Sequence, residues 1–355
     1  MQLNPKKIIG SLGRKYGGEP FQKIRKSYYD SIAFFNQLYE LTFLVRGTYA
    51  PNHPDKKFYE KYYTKNISGK RDHLKEGFIC LCDGRMYHGG PTDRLRGILT
   101  TYREVKKTGV PFYISWTNPF NLEDYLVPAG QDWRINPDDI VYDKESAFPF
   151  IIEDEPDFHS FLRMKAGLKH HKPQLHVYSN ADNARGNYRE LYHELFKPSP
   201  LLQKETERHL RILGNRFSAY TFRFLSLLGD FKEWSETTLS DNDAILFMKR
   251  VADEFLRLTK EVPENERILV TSDSKRFLEY IQKLDPRVYV VPGEVKNIDL
   301  LEGEYREAWL KTFVDQQLLM NASKVTLMRT GKMYKSGFPR FAAEVGGAEY
   351  IDHCF

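Results

Sequence analysis

At 355 residues the chain exceeds the size at which a single hydrophobic core stops growing, and 41% hydrophobic with 14% aromatic residues excludes a disordered chain and supplies two cores. Three cysteines (Cys80, Cys82, Cys354) exclude a disulfide framework, and no window approaches a transmembrane span, so a reducing, cytoplasmic setting is expected. The net charge of +5 is unevenly placed, with Lys6, Lys7, Arg14, Lys15, Lys23, Arg25 and Lys26 opposed by Glu19 alone. This arm reads either as a solvated tail or as a contact with anionic headgroups at the inner face of a membrane. Nothing in the chain reads as a base-recognition module, so nucleic acid is not an expected partner.

In chain order, the three-to-four spacing of Ile24, Tyr28, Ile32, Phe35, Leu38, Leu41 and Val45 predicts a helix over Phe21–Val45, followed by a charged, aromatic connector over Pro51–Lys75. Gly77–Cys82 predicts a strand running into the Asp83-Gly84 turn. A helix over Arg94–Lys107 follows, then strands at Pro111–Ser115 and Asp139–Tyr142, a helix at Phe158–Ala166 and a strand at Gln174–Ser179. Tyr188–Leu213 reads as helical, broken at Pro198 and Pro200, and is the expected passage between domains.

A second alternating unit then begins. Strands are expected at Ser218–Phe224, Arg267–Thr271, Val288–Val291 and Ser323–Met328. Helices are expected at Asp241–Leu258, Lys275–Leu284, Tyr305–Met320 and Gly337–Val345. The rhythm is that of a doubly wound sheet. The expected fold is therefore α/β, with two Rossmann-like domains facing a cleft. The expected division is a basic helical region and connector over 1–75, an N-terminal domain over 76–213 and a C-terminal domain over 214–355.

Four junctions between strand and helix carry candidate chemistry. His88 to Gly97 (HGGPTDRLRG) holds Gly89 and Gly90, where backbone can approach a ligand at a helix N-terminus. Asp93 there either caps the helix or, with Arg94 and Arg96, touches a sugar or phosphate. Arg223, late in its strand, either pairs with a carboxylate such as Asp230 or clamps a diphosphate. Thr271, Ser272, Asp273 and Ser274 present hydroxyls and amides to an anion, or cap the following helix. Arg329 to Pro339 (RTGKMYKSGFP) combines Arg329, Lys335, Ser336, Gly337 and Phe338 in one loop, a composition suited to phosphate. No metal site is expected: His170-His171 cannot converge from one helix face, and Asp241-Asn242-Asp243 reads as the start of a helix.

Together these motifs resemble the fucosyltransferase superfamily of GT-B-like architecture, which includes α1,2-, α1,6- and protein O-fucosyltransferases. The turn carrying Asp93-Arg94-Leu95 is similar to that group's N-terminal glycine-rich loop, and Thr221-Phe222-Arg223 falls where the group has His-x-Arg. Val270 to Ser274 is similar to its Ser/Thr-Asp segment, Asp315 to Lys324 with Ser336-Gly337-Phe338 resembles its closing block, and Glu194 to Ser199 resembles its inter-domain passage. Thr221 departs from the usual His, Phe224 and Leu225 from the usual charged residues, and Lys335-Ser336-Gly337-Phe338 from Ser-Ser-Phe.

The resemblance implies inverting, metal-independent transfer of L-fucose from GDP-fucose to a hydroxyl of a glycan or lipid-linked oligosaccharide, as in assembly of a bacterial surface polysaccharide. The GDP-sugar is a donor substrate, and no cofactor is implied. Arg223, helped by Lys335 and Ser336, would stabilise the leaving diphosphate, and Thr271, Ser272 and Asp273 would bind nucleotide or phosphate. Asp93 or Arg94 would sit at the reacting sugar, with Asp93 as general base. Another nucleotide sugar on the same fold, or a non-catalytic nucleotide- or glycan-binding protein, are the alternatives.

Overall fold

The computed structural model describes residues 39, 42–43, 48–64, 74–152, 172–182, 184–232, 237–294, 296–297 and 305–355. The basic arm, most of the helix expected over 21–45 and the helix expected over 158–166 lie outside the described residues.

The first parallel sheet is built on β1 (Gly77–Cys82), whose six residues are all buried, as a central strand covered on both faces requires. It pairs with β2 (Phe112–Trp116) and with β5 (Gln174–Ser179), and β4 (Ala147–Ile152) pairs with β5 at the edge, giving the order β2-β1-β5-β4. The crossover from β1 to β2 is helix α2 (Pro91–Val105), with Gly90 at its N-cap and Pro91 in the first turn. It lies so close on β5 that a Cβ at Gly97 would stand 1.9 Å from the Ser179 carbonyl oxygen.

Two expectations in this half are corrected. Residues 51–75, read as a connector, contain helix α1 (Lys56–Tyr62), which packs Tyr59 against Phe148, while Tyr63 reaches the ring of His176. No strand forms at 139–142: Pro137–Asp139 is a 3-10 turn capped by Asn136, and the strand comes later as β4. Pro149 inside β4 reads against a strand, yet an edge strand tolerates proline because one side of its ladder is free.

The expected passage between units resolves into α3 (Tyr188–Leu195), β6 (Phe196–Pro198) and α4 (Pro200–Leu213), with β6 antiparallel to β3 (Leu126–Pro128). Ser199 caps α4 by accepting the Leu202 amide at 3.2 Å.

The second sheet contains β7 (Ser218–Phe222), β8 (Ile268–Ser272), β9 (Val288–Tyr289), β10 (Lys324–Arg329) and β11 (Glu349–Cys354) in the order β11-β10-β7-β8-β9, all parallel. Helices α5 (Asp241–Thr259), α6 (Lys275–Leu284), α7 (Arg306–Asn321) and α8 (Phe338–Gly346) connect them. Strand β11 was not anticipated: its partly exposed Glu-Tyr-Ile-Asp-His-Cys lacks an apolar run because it is an edge.

Between the sheets the apolar core is continuous. Tyr125 stacks on Phe313 at 4.7 Å, Tyr188 meets Phe341 edge-on at 5.1 Å, and Gln317 donates to the Tyr192 hydroxyl at 3.1 Å. Helix α7 is buried on most of its circumference and carries a Lys311–Asp315 ion pair at 2.7 Å inside this seam, where burial pushes the Asp315 carboxyl up.

Candidate functional site

In the second sheet the chain winds outward from β7 to β8 and β9, then returns to lay β10 on the other side of β7. The switch point lies between β7 and β10, and in open parallel sheets the crevice beyond such strand ends is where ligands bind. Arg223 follows β7 directly and the 329–338 loop follows β10. The two are joined, since the Tyr334 amide donates to the Arg223 carbonyl at 3.1 Å.

Arg223 lies one residue beyond its strand, its side chain about a quarter exposed. Its Nε stands 3.4 Å from Asp273 Oδ2 and its guanidinium lies over the Phe231 ring at 4.6 Å. Among the described residues its carboxylate partner is Asp273, while Asp230 accepts the Ser274 hydroxyl at 2.9 Å and the Arg276 amide at 2.8 Å.

Asp273 is buried and also accepts the amides of Phe224 at 2.9 Å and Leu225 at 2.7 Å. Burial pushes its carboxyl above the ordinary range, against the pull of Arg223 and those amides. Leu225 has φ +56°, a left-handed conformation costly for a residue with a Cβ, and the Asp273 bond holds it there.

The neighbouring hydroxyls are braces. Thr271 bonds Thr221 between strands at 2.9 Å, both buried. Ser272 accepts the Ser274 amide at 3.1 Å, and the wholly buried Ser274 caps α6 by accepting the Phe277 amide at 3.1 Å. Of the segment expected to meet an anion, Asp273 shapes the Arg223 turn and Ser274 serves the helix.

In the 329–338 loop, Arg329 grips Asp352 with two bonds of 2.6 and 3.1 Å, and Lys335 reaches the same carboxylate at 2.8 Å. These cations hold the Asp352 carboxyl below its usual range. Lys335 remains largely exposed, Ser336 accepts the Phe338 amide at 3.3 Å, and Gly337 is the N-cap of α8, whose first turn has neither an acidic residue nor a side-chain cap.

In the first sheet the switch point lies between β1 and β5. Beyond β1, Asp83 accepts the hydroxyls of Tyr142 at 3.1 Å and Tyr178 at 3.0 Å and pairs with Arg85. His88 stacks on Tyr178, and its burial lowers the imidazole to about 4. Gly89 has φ +71°, and Asp93 closes the turn by accepting the Gly90 amide at 3.2 Å.

Arg94, expected at the reacting sugar, is only 1% exposed. Its Nε donates to the Gly89 carbonyl at 2.9 Å, its Nη1 to the Asn118 carbonyl at 2.6 Å, and its plane lies over Trp116. The guanidinium therefore pins the turn from beneath.

Its neighbour Arg96 points the other way, pairing with Asp93 and, at 3.0 Å, with Asp182. Asp182 also receives Arg185 and the Tyr188 hydroxyl. The structure thus gathers Arg223, Asp273 and the 329–338 loop at one switch point, and Asp93 with Arg96 beside the other. Asp83, Asp182 and Asp352 were missed: they pair with residues distant in sequence or sit beside elements the periodicity does not reveal. Asp241 and Asp243 form the first turn of α5, with Asp243 bonded to Ser240 at 2.6 Å.

No family model matches the chain, and no curated protein matches it in sequence. Among solved structures it is similar to an Arabidopsis thaliana FUT1 mutant in complex with GDP, with TM-score 0.51 and 11% identity over 85% of this chain and 74% of that one. It is also similar to NodZ alpha-1,6-fucosyltransferase co-crystallized with GDP (TM-score 0.48, 14% identity, 76% of this chain and 92% of that one). A third is the apo form of POFUT1 (TM-score 0.44, 9% identity, 81% of this chain and 99% of that one). The FUT1 likeness shows a shared fold: a GT-B-like α/β arrangement of two Rossmann-like units facing a cleft.

Proposed function

We propose that the protein is a glycosyltransferase that moves a sugar from a nucleotide-sugar donor to an acceptor hydroxyl, with the donor in the unit 214–355 and the acceptor in the unit 76–213. The observation that carries this reading is the cationic switch point of the second sheet: Arg223, oriented by Asp273 and tied through its carbonyl to the loop holding Lys335 and Ser336. A guanidinium there suits a diphosphate and the negative charge that grows on it as the glycosidic bond breaks.

The donor is L-fucose on GDP, a reading supported by the motif resemblance and by the GDP held in the FUT1 structure of the same fold. The motif resemblance implies that the transfer is inverting and needs no metal, with Arg223 placed to supply positive charge opposite the diphosphate. The acceptor oxygen bonds to the anomeric carbon from the face opposite the diphosphate, and Asp93 is the group that takes its proton. A glycan or lipid-linked oligosaccharide is the acceptor class, met on the cytoplasmic side of a membrane by the basic arm, as in bacterial polysaccharide assembly.

One observation favours a second reading, a non-catalytic nucleotide- or glycan-binding protein. Thr221, in the place of the resembling family's His, is buried and bonded to Thr271, so that position offers no imidazole. The two readings separate in one experiment. Thermal shift with GDP, UDP, ADP and CMP identifies the nucleotide, and incubation with the matching nucleotide sugars measures nucleotide release. Release that falls at least a hundredfold in Arg223→Ala supports the transferase. Turnover of every accepted donor within a few-fold of wild type in that variant refutes the assignment, and binding with no release in wild type selects the second reading.

A further inference from the structure

Gly337 has φ −78° and ψ −17°, a conformation open to any residue, so its backbone does not call for glycine. Its missing side chain leaves room for Arg96 of the opposite unit: a Cβ at Gly337 would stand 3.3 Å from Arg96 Nη1. A guanidinium there faces the first turn of α8, the positive end of a helix dipole with no acidic residue and no side-chain cap. Asp93 and Asp182 already meet the charge of Arg96, so an anion at this turn would compete with them for the guanidinium.

Arg96 meanwhile bridges two unlike carboxylates. Asp182 is 5% exposed and shared with Arg185 and Tyr188, whereas Asp93 is 39% exposed, and its other oxygen holds the Gly90 amide. Asp93 is the partner that is easier to exchange, because water reaches it.

The geometry points to Arg96 as a positioning residue that couples the two units. When a diphosphate settles at the 336–338 turn, the guanidinium exchanges Asp93 for a phosphate oxygen and keeps Asp182. Asp93, then held by the Gly90 amide, accepts the proton of the acceptor hydroxyl. The acceptor oxygen forms its bond to the anomeric carbon, and the carbon–oxygen bond to the diphosphate breaks with its electron pair on the diphosphate. Arg96 and Arg223 share the added charge. The inference rests on the glycosyltransferase reading and adds to it a residue from the acceptor unit that senses the donor.

The test measures affinity for GDP and inorganic pyrophosphate by calorimetry, and donor turnover, on the full chain. The variants are Gly337→Ala, Arg96→Lys, Arg96→Ala and the Gly337→Ala/Arg96→Ala double. Gly337→Ala crowds the guanidinium without removing charge, so it is expected to weaken both ligands roughly tenfold while leaving the unfolding midpoint in place. That effect should vanish in the Arg96→Ala background, which a merely structural role would not produce. Arg96→Lys should recover affinity but little of kcat, since an ammonium does not hold Asp182 and a phosphate in one plane. If wild type binds GDP and the variants bind it within twofold, the role of Arg96 is overturned and the transferase reading stands. If wild type binds neither GDP, UDP, ADP nor pyrophosphate, both fall.

Discussion

Asp273→Asn retains the shape of the side chain and turns one acceptor oxygen into a donor. In the protein Oδ1 takes the Phe224 amide at 2.9 Å, while Oδ2 takes the Leu225 amide at 2.7 Å and faces Arg223 Nε at 3.4 Å. Whichever way the new amide turns, one backbone N–H meets an NH2 group at a site only 5% exposed. A buried donor left without an acceptor costs about 1–3 kcal/mol, and loss of a charge-assisted bond adds about 1–2 kcal/mol. Burial already pushes the Asp273 carboxyl up, so a neutral side chain recovers part of the desolvation and brings the expected net loss to about 2–4 kcal/mol.

The assay is the urea midpoint at constant slope, paired with donor turnover, which should fall ten- to a hundredfold as Arg223 loses its orienting partner. Leu225→Gly in the Asp273→Asn background should return about 1 kcal/mol, because φ +56° costs glycine nothing. A loss under about 0.5 kcal/mol with turnover unchanged would show that the 223–225 turn holds itself, and the reasoning would fail.

Three further outcomes are expected. Arg94→Met removes two guanidinium–carbonyl bonds from a site 1% exposed and should cost about 3–5 kcal/mol by urea unfolding, and a loss below 1 would deny the clamp. Gly97→Ala drives a Cβ onto the Ser179 carbonyl and should cost more than about 2 kcal/mol, whereas Gly331→Ala, with no atom near its Cβ, should be neutral; equal effects would refute the close approach. Burial lowers His88 to about 4 and His176 to about 3, so both are neutral in the fold while the unfolded chain takes up protons below about pH 6.5. Stability should therefore fall as pH drops from 6.5 toward 4, and His176→Gln should flatten that slope; an unchanged slope would contradict it.

Periodicity located the elements whose chemistry is local. Helix α6 was read at its observed bounds because an apolar face follows a capping serine, and β5 because a short apolar run is buried on both sides. Strand β4 was hidden by Pro149, β11 by its mixed edge composition, and α1 by charges surrounding a single buried tyrosine, Tyr59. At the strand ends, residue type singled out the loops but not each side chain's direction. Arg94 and Arg96 are two apart on one helix, so one is buried beneath the turn and the other reaches toward the opposite unit. Asp352 carries no sequence signal because both cations it holds arrive from other elements, and the Asp182 contact with Arg96 is equally remote in the chain.

The central pair of each sheet joins strands far apart in the chain: Gly77 registers with Gln174, and Ser218 with Lys324. Loops of about a hundred residues must close before either pair forms, which places this topology among slow folders. During synthesis β7 emerges well before β10, so Arg223 is made long before the loop that its carbonyl anchors. A chain stalled before Lys324 would offer β7 with an unfilled edge, open to strand exchange with another copy. The crevice beyond β7 and β10 is thus completed late, and its completion also buries the edge that would otherwise be open to another copy.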